Sequence, residues 1–336
     1  MSKTISVLGA GMFGTAIANI LAENGQNIWL WSRDPAQAES ISKSRENKKS
    51  LPGYQINDGV HPTSDLHQCL TECDVIFFSV PSGAFREVVQ LAGPMIRPDT
   101  MVISTTKGIE SAGFHMMSEV LSQELPDNPR GVLSGPNLAE EIVQKQITAT
   151  VIASEYPDLN KVVQEILHTS YFRVYSSDDV YGVELAGSLK NIYAIAAGFA
   201  NALGVGQNTQ GMLLTRSLAE MSRFAHSMGA KPLTFLGLAG VGDLMVTCGS
   251  PLSRNFQLGS FIGQGLKLAE ATEKLGRLAE GINTVRTVKL KADEMGVYMP
   301  IVSGLYSILF EDASVEFVIN AVMMGEQAED VEFVLT

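Results

Sequence analysis

Lys190 is the only charged residue between Leu185 and Thr215 in this 336-residue chain. Its neighbours at helical spacing are apolar or small on both faces, so the segment should form a buried helix. Desolvation generally brings the pKa of a buried lysine towards neutrality, where the amine can donate and accept protons. The alternative is a lysine that reaches solvent from a helix end. Beside it, Asn191 offers neutral hydrogen bonds to a polar ligand.

Three glycines, Gly9, Gly11 and Gly14, lie between a predicted strand at Ile5–Leu8 and a predicted helix at Phe13–Asn24. The first allows a tight turn, the second lets a ligand approach the backbone, and the third permits close packing of helix on strand. A helix N-terminus also attracts anions. The pattern predicts a site for the pyrophosphate of a dinucleotide, and the alternative is a glycine turn without a ligand.

Arg33 and Asp34 follow the second predicted strand, which includes Ile28–Trp31. An acidic residue here typically binds the ribose hydroxyls of NAD, whereas an arginine accommodates the 2′-phosphate of NADP. Because Arg33 is nearer the strand, we expect NADP, with NAD as the other possibility. A solvated turn is the alternative to either role.

A second polar cluster follows in the later half of the chain, where we expect a loop. Asp243 could hold Lys190 or a substrate hydroxyl, and Arg254 has the planar fork that suits a phosphate, with Ser253 and Asn255 as neutral donors beside it. Each residue taken alone could instead be a helix cap or a loop residue. Lys107 follows a predicted strand, and ligands bind at the carboxyl edge of open α/β sheets.

The elements that must position these residues change type along the chain. Short apolar strands alternate with helices in the first half, which predicts a mostly parallel, doubly wound sheet of Rossmann type with helices on both faces. The expected strands are 5–8, 28–31, 75–80, 101–105, 132–133, 149–153 and an edge strand at 172–175. Expected helices between them include 13–24, 85–92 and 111–124. Long helices at 183–203, 209–228, 266–275, 283–294 and 304–310 predict an all-helical second domain. We expect the domains to be residues 1–177 and 178–336.

Composition limits the function classes. A net charge of −12 argues against nucleic-acid and anionic-membrane partners. Three cysteines without a metal-type pair, and five histidines without a cysteine or carboxylate partner, suggest neither a disulfide framework nor a metal site. The N-terminus has no signal-peptide pattern, and the apolar stretch at 185–205 contains polar residues that a bilayer would penalise. We expect a cytoplasmic protein without membrane insertion.

The motifs together resemble those of bacterial-type NAD(P)-dependent glycerol-3-phosphate dehydrogenases, over nearly the whole chain. The matching blocks are Gly9-Ala10-Gly11-Met12-Phe13-Gly14-Thr15-Ala16, Thr106-Lys107-Gly108, Ser134-Gly135-Pro136-Asn137, Leu189-Lys190-Asn191, Gly240-Val241-Gly242-Asp243-Leu244, Ser253-Arg254-Asn255 and Ala279-Glu280-Gly281. The resemblance implies a Rossmann domain followed by a helical domain, and a homodimer is expected. It further implies the reduction of dihydroxyacetone phosphate to glycerol 3-phosphate for phospholipid synthesis.

The resemblance also implies residue roles. Lys190 matches the proton acceptor, and Lys107 matches a residue that contacts both substrate and cofactor. Substrate positions are matched by Gly135, Asn137, Asp243, Ser253, Arg254 and Asn255. Cofactor positions are matched by Met12, Phe13, Arg33, Ala139, Arg254, Leu278 and Glu280. The chain departs from the family where Met12 and Phe13 replace a common serine and aromatic residue, and where Asn137 replaces a common threonine.

Two rival functions remain open from the residues. A dehydrogenase of the 6-phosphogluconate or 3-hydroxyisobutyrate type also uses a lysine on a helix, but its substrate loops differ from the Ser253-Arg254-Asn255 block. A non-catalytic redox sensor would bind the dinucleotide, and Lys190 would then have no chemical role. An absorbance assay at the nicotinamide band distinguishes all three.

Overall fold

The computed structural model of the chain describes residues 2–276, 279–316 and 318. The chain divides into two compact units. One consists of residues 1–107 and 115–180, and the other of residues 108–114 and 181–336, as far as each is described.

The longer strands at the centre of the first unit form where apolar and β-branched residues run together, whereas some of the short strands are polar. Their bounds are β1 (Thr4–Leu8), β2 (Asn27–Trp31), β3 (Glu46–Asn47), β4 (Leu51–Gln55), β5 (Val60–Thr63), β6 (Val75–Phe78), β7 (Met101–Ser104), β8 (Ile109–Glu110), β9 (His115–Met116), β10 (Arg130–Ser134), β11 (Thr148–Ala153) and β12 (Phe172–Ser177), of which β8 belongs to the second unit.

Within the described residues, eight of these strands form one sheet in the order β12-β11-β10-β7-β6-β1-β2-β5. All of its neighbouring strands run parallel except β10 and β11, which are antiparallel. The strand order reverses direction along the chain beside β1, and in open α/β sheets ligands bind at the carboxyl ends of the strands near such a switch point.

Helices cover both faces of this sheet. They are α1 (Met12–Glu23), α2 (Pro35–Ser44), α3 (Leu66–Leu70), α4 (Ser82–Ala92), α5 (Met117–Glu124), α6 (Ala139–Val143) and α7 (Pro157–Leu167). The side chains of a strand alternate between faces: Val75 and Phe77 of β6 belong to the core under α1 and α7, whereas Ile76 and Phe78 belong to the core under α4 and α5. The expected fold class, a Rossmann-type sheet followed by a helical part, is confirmed.

As far as the second unit is described, it is built from helices, apart from the short strand β8. The helices are α8 (Val180–Ala202), α9 (Gln207–Ser227), α10 (Asp243–Gly249), α11 (Arg254–Gly263), α12 (Leu268–Leu275), α13 (Glu280–Met295) and α14 (Pro300–Phe310). α8 is buried along most of its length, as its apolar sequence predicts. Among the residues that the structure describes, no helix has both the length and the hydropathy needed to cross a bilayer.

Three local predictions were wrong. The helix expected at 111–124 begins only at Met117, because Gly113 and Phe114 have positive φ angles of 86° and 54°, which an α-helix does not allow. The edge strand β5 was missed, since its polar and proline-containing sequence hides the pattern. Arg254 and Asn255 do not lie in a loop: they begin α11.

Candidate functional site

The glycine loop of the first unit leaves space at one glycine and none at the others. Gly9 has a φ of +124°, and a Cβ built on it would lie 2.3 Å from the carbonyl oxygen of Ser79. A Cβ on Gly14 would lie 2.1 Å from the carbonyl oxygen of Gly9, whereas one on Gly11 would meet no heavy atom within 4 Å. Two glycines therefore serve the close packing of α1 on the sheet, and Gly11 keeps the backbone accessible at the N-terminus of α1. This arrangement fits a pyrophosphate.

Two amide side chains that the sequence did not single out hold this loop. Asn47 is buried and donates to the carbonyl oxygen of Ala10 at 3.0 Å and to the hydroxyl of Thr15 at 2.9 Å. Gln37 donates to the same carbonyl oxygen at 2.9 Å. The two amides fix the turn in which the backbone N–H groups are presented. Asn47 lies in a polar run, and its sequence surroundings do not distinguish it from a surface residue.

Arg33 and Asp34, next to the end of β2, differ in how they are engaged. The carboxylate of Asp34 accepts from the N–H of Ala36, which caps α2, and pairs with the Lys49 ammonium at 3.0 Å. The hydrogen bond from Lys49 is the main cause that lowers the pKa of Asp34. Arg33 is exposed. The carboxylate is thus already used within the protein, while the guanidinium faces solvent.

Lys107 and the segment after β10 form a second polar group in the first unit. The Lys107 ammonium donates to the carbonyl oxygen of Gly135 at 2.8 Å. The amide of Asn137 donates to the hydroxyl of Thr150 at 2.9 Å, and that hydroxyl donates to the carbonyl oxygen of Ser134. The side-chain oxygens of Asn137 and Ser134 are buried without a hydrogen-bond partner among the described residues. Buried polar atoms generally need a partner, so a polar ligand group suits this edge of the sheet.

Ala139 is buried and begins α6, directly after this segment. Met12 and Phe13 are partly buried and begin α1 beside the glycine loop. Every first-unit residue predicted for the cofactor therefore lies after the carboxyl end of a strand or at the start of a helix.

In the second unit, Lys190 lies in the middle of α8 rather than at a helix end. Its side chain is buried, and its ammonium forms a salt bridge with Asp243 and donates to the hydroxyl of Thr247 at 2.7 Å. Asp243 is buried as well, so the first of its two expected roles, holding the lysine, is observed. A lysine oriented by two acceptors is held at one place and can exchange a proton there.

Asp243 is brought to this position by a tight turn. Residues Leu238–Gly242 form one π-helical turn that leads into α10. A Cβ on Gly240 would lie 2.1 Å from the carbonyl oxygen of Phe235, so this contact requires glycine. π-helical turns are frequent at functional sites.

Asn191 and Asn255 join three helices. The Asn255 amide donates to the Asn191 side-chain oxygen at 2.9 Å, and its own oxygen accepts from the N–H of Gly281 at 3.0 Å. A Cβ on Gly281 would lie 2.7 Å from the carbonyl oxygen of Asn191. α8, α11 and the start of α13 therefore meet here, and Asn255 retains one amide N–H for a ligand.

The remaining predicted residues lie at the starts of α11 and α13. Ser253 is the N-cap of α11, with its hydroxyl accepting from the N–H of Phe256 at 3.3 Å. Arg254 follows it and is exposed, at a helix N-terminus that favours anions. Glu280 begins α13. Leu278, also predicted for the cofactor, lies outside the described residues.

The described residues contain no group of histidine, cysteine and acidic side chains that could hold a metal ion. The polar groups of both units are instead a glycine loop, lysines, arginines and amides. These suit a phosphorylated dinucleotide and a small anionic substrate.

Two family models match the chain. Residues 4–160 match the N-terminus of NAD-dependent glycerol-3-phosphate dehydrogenase, and residues 179–320 match its C-terminus. The chain belongs to this dehydrogenase family. The resemblance derived from the seven sequence blocks is confirmed.

Relatives agree with the family models. The chain is 54% identical to the glycerol-3-phosphate dehydrogenase [NAD(P)+] of Saccharophagus degradans, over 98% of this chain and 92% of that protein. It is also 54% identical to the enzyme of the same name from Pseudomonas paraeruginosa, over 99% and 98% of the two chains. The crystal structure of glycerol-3-phosphate dehydrogenase from Coxiella burnetii is similar with a TM-score of 0.93 and 36% identity, covering 96% of this chain and 99% of that one.

Proposed function

We propose that this chain is an NAD(P)-dependent dehydrogenase that interconverts dihydroxyacetone phosphate and sn-glycerol 3-phosphate. The observation that carries the proposal is the buried Lys190, held by Asp243 and Thr247 in a dehydrogenase of this family. The names of the two relatives support the substrate and the cofactor. Arg33 is exposed after β2, and the neighbouring Asp34 is already paired with Lys49, which favours NADP as the cofactor. The glycine loop is equally compatible with NAD.

First-unit residues would hold the cofactor. The N–H groups at Gly11, Met12 and Phe13 would bind the pyrophosphate, and Arg33 would bind a 2′-phosphate. Lys107 and Asn137 would present polar groups to the cofactor or the substrate, with Ala139 beside them. A bound reduced nicotinamide supplies the hydride.

Lys190 supplies the proton. As the C2 carbonyl of dihydroxyacetone phosphate is reduced, negative charge grows on its oxygen. The Lys190 ammonium stabilises that charge and donates a proton to the oxygen, which gives the C2 hydroxyl of glycerol 3-phosphate. In the reverse direction the neutral amine accepts the proton. A cation oriented towards developing charge lowers the transition state more than the ground state.

Arg254, Ser253 and Asn255 would hold the substrate phosphate at the start of α11. The guanidinium supplies a bidentate donor, and Asn255 supplies the amide N–H that is left after its bonds to α8 and α13. We assign Asn191, next to Lys190, to the substrate, and Glu280, at the start of α13, to the cofactor position that the family resemblance implies. Anchoring the phosphate restricts C2 to one place, which converts binding into rate.

The test is oxidation of NADPH or NADH, followed by absorbance, with dihydroxyacetone phosphate as the substrate. The turnover of dihydroxyacetone phosphate should exceed, by orders of magnitude, the rate at which the enzyme oxidises 6-phosphogluconate or 3-hydroxyisobutyrate with NADP+ or NAD+. Turnover of one of those acids instead would assign the chain to a rival dehydrogenase. Binding of NADPH without turnover of any of the three would support the redox-sensor alternative.

We further propose the biological setting. Residues 1–177 would form the cofactor domain and residues 178–336 the substrate domain, which the ranges of the two family models support. Three buried free cysteines support a reducing compartment such as the cytoplasm, where the product would feed phospholipid synthesis.

A homodimer is also proposed. It is supported by Leu233, Leu236 and Met245, which are each more than half exposed, since such side chains are commonly buried between subunits. Light scattering during size-exclusion chromatography should give about twice the chain mass of 36.2 kDa, and a mass equal to one chain would contradict the dimer.

A further inference from the structure

Glu220 is a buried carboxylate that the proposed reaction does not use. It lies on α9 with only 2% of its surface exposed. Its two oxygens accept from the backbone N–H of Ile301 at 2.6 Å, from that of Val302 at 3.4 Å and from the hydroxyl of Tyr193 at 3.2 Å. It thus joins the N-terminus of α14 to α8, the helix that carries Lys190.

Burying this group has a cost that an apolar residue would avoid. Burial raises the pKa of Glu220 to about 7. The three hydrogen bonds and the charge of Arg223 act in the opposite direction and lower the pKa, but their effect is smaller than that of burial. The carboxylate at the N-terminus of α14 recovers part of the cost, because the helix dipole and the free N–H groups favour an anion. The third bond, to Tyr193, does not cap a helix but connects α9 to α8.

Tyr193 lies one helical turn after Lys190 and is fully buried. Cys248 of α10 lies near both side chains, and burial raises the pKa of its thiol to about 12, so the thiol stays neutral beside them. Cys248 also follows Thr247, the hydroxyl that accepts from Lys190. The Tyr193 ring is therefore a neighbour of the lysine and its partners, held at its far end by Glu220.

We propose that Glu220 is a positioning residue, which fixes the turn of α8 that carries Lys190 through its hydrogen bond with Tyr193. The inference rests on the proposed proton transfer by Lys190. With Tyr193 fixed, the Lys190 side chain extends from a turn that cannot rotate or slide, and its ammonium reaches Asp243 and Thr247 at one place.

The test compares Tyr193→Phe and Glu220→Gln with the wild-type enzyme. Tyr193→Phe removes one hydroxyl and keeps the ring, so the fold should be retained. Each variant should lower kcat roughly 5- to 50-fold, the effect of a small misplacement of a reacting group, with KM for dihydroxyacetone phosphate and for NADPH within about twofold. The double variant should lose about as much kcat as the more affected of the two single variants, because both changes weaken the same link.

Arg223→Gln is the matched control. Arg223 lies one turn after Glu220 on α9 and binds the same segment of chain at Tyr298, through the carbonyl oxygen and over the ring at 5.8 Å. If docking of that segment were all that mattered, Arg223→Gln would lower kcat as much as Glu220→Gln does. That result would overturn the proposal, as would a kcat within twofold of wild type for Tyr193→Phe.

A second readout does not depend on turnover. The 13Cε NMR signal of Lys190, assigned by its loss in Lys190→Ala, should shift in Tyr193→Phe and stay in place in Arg223→Gln. An unmoved signal in Tyr193→Phe would also overturn the proposal. If the wild-type enzyme did not reduce dihydroxyacetone phosphate at all, the proposed function would fail, while the NMR signal would still decide whether the Glu220–Tyr193 link positions the lysine.

Discussion

Lys190 could be identified from the sequence because its isolation among apolar residues is visible along the chain. Its bond to Thr247 was not predicted, and its pairing with Asp243 was one of two expected roles for that carboxylate. Asp243 and Thr247 are separated from it by more than fifty residues, and their nearness depends on the π-helical turn before α10. The same holds for Asn47, whose hydrogen bonds to Ala10 and Thr15 connect distant parts of the first unit. The residue types along the sequence were enough to indicate the chemistry. Which residues pair with each other could be seen only in the folded structure.

Arg254 is expected to bind the substrate phosphate. Arg254→Ala should lower kcat/KM for dihydroxyacetone phosphate by about 10- to 1000-fold, since a charge-assisted hydrogen bond contributes about 1.5–3 kcal/mol and one or two are lost. Arg254→Lys should recover only part of the lost kcat/KM, because the lysine ammonium lacks the planar fork of the guanidinium. The measurement is steady-state kinetics with NADPH at saturation.

Unphosphorylated dihydroxyacetone is the control for this variant. The wild-type enzyme should reduce it slowly, and Arg254→Ala should change that slow rate far less than the rate with the phosphorylated substrate. An equal loss with both substrates would mean that Arg254 acts on the fold or on the cofactor.

Arg33 should discriminate between the two cofactors. Arg33→Ala should raise the Kd of NADPH roughly 10-fold or more and leave that of NADH nearly unchanged, because the 2′-phosphate is the group that pairs with the guanidinium. Fluorescence titration with both nucleotides provides the measurement. Equal weakening of both would remove Arg33 from recognition of that phosphate.

At the scale of elements, close helix packing brings the second-unit residues together. A Cβ on Gly259 of α11 would lie 1.9 Å from the carbonyl oxygen of Ile195 on α8, and one on Gly198 of α8 would lie 1.9 Å from that of Phe256. Glycines let the two backbones approach. The contact sets Asn255 against Asn191, so the geometry of the polar cluster depends on residues that have no side chain.

Gly259→Ala should therefore separate α8 from α11. We expect a loss of roughly 1–3 kcal/mol of stability or more, seen as a lower Tm, from the forced overlap of a methyl group with backbone. Gly211→Ala is the matched control on α9, since its Cβ would meet no heavy atom within 4 Å. It should be neutral or slightly stabilising, because alanine favours the helix. Equal effects of the two changes would contradict the packing role.

The order of elements could largely be predicted, and their ends and exceptions could not. The apolar runs that form β1, β6 and β11 are long enough to identify buried strands. β5 could not be recognised, because an edge strand needs only one apolar anchor, which is Val60 here. The start of α11 was not predicted as a helix, because glycines are more typical of a loop. In the structure these glycines allow the backbone of α11 to pack closely against α8. Tertiary packing explains both misses.

At the scale of the whole molecule, the acidic net charge of −12 contrasts with the cations of the candidate site. An anionic substrate is repelled by such a surface unless local groups reverse the field. Lys107, Arg254 and the N-termini of α1 and α11 are suited to do so in their own units.

Glu220 should make the stability of the protein depend on pH. Its pKa is raised from 4.5 to about 7 in the folded state, so its contribution is complete below pH 4.5 and is lost as the pH rises through 7, amounting to about 3 kcal/mol. The Tm of Glu220→Gln, relative to wild type, should therefore rise between pH 5 and pH 8. The exposed Glu273→Gln should show no such trend. A constant difference for Glu220→Gln would contradict the burial effect.

Proton transfer by Lys190 is tested most directly by the turnover of Lys190→Ala with dihydroxyacetone phosphate and NADPH, measured beside NADPH binding to the same variant. Removal of a general acid should lower kcat by roughly two to four orders of magnitude. The Kd of NADPH should change little, because the groups assigned to the nucleotide remain. Lys161→Ala, which removes an exposed lysine of the first unit, should retain normal turnover. Near-normal kcat in Lys190→Ala would show that the proton comes from another group.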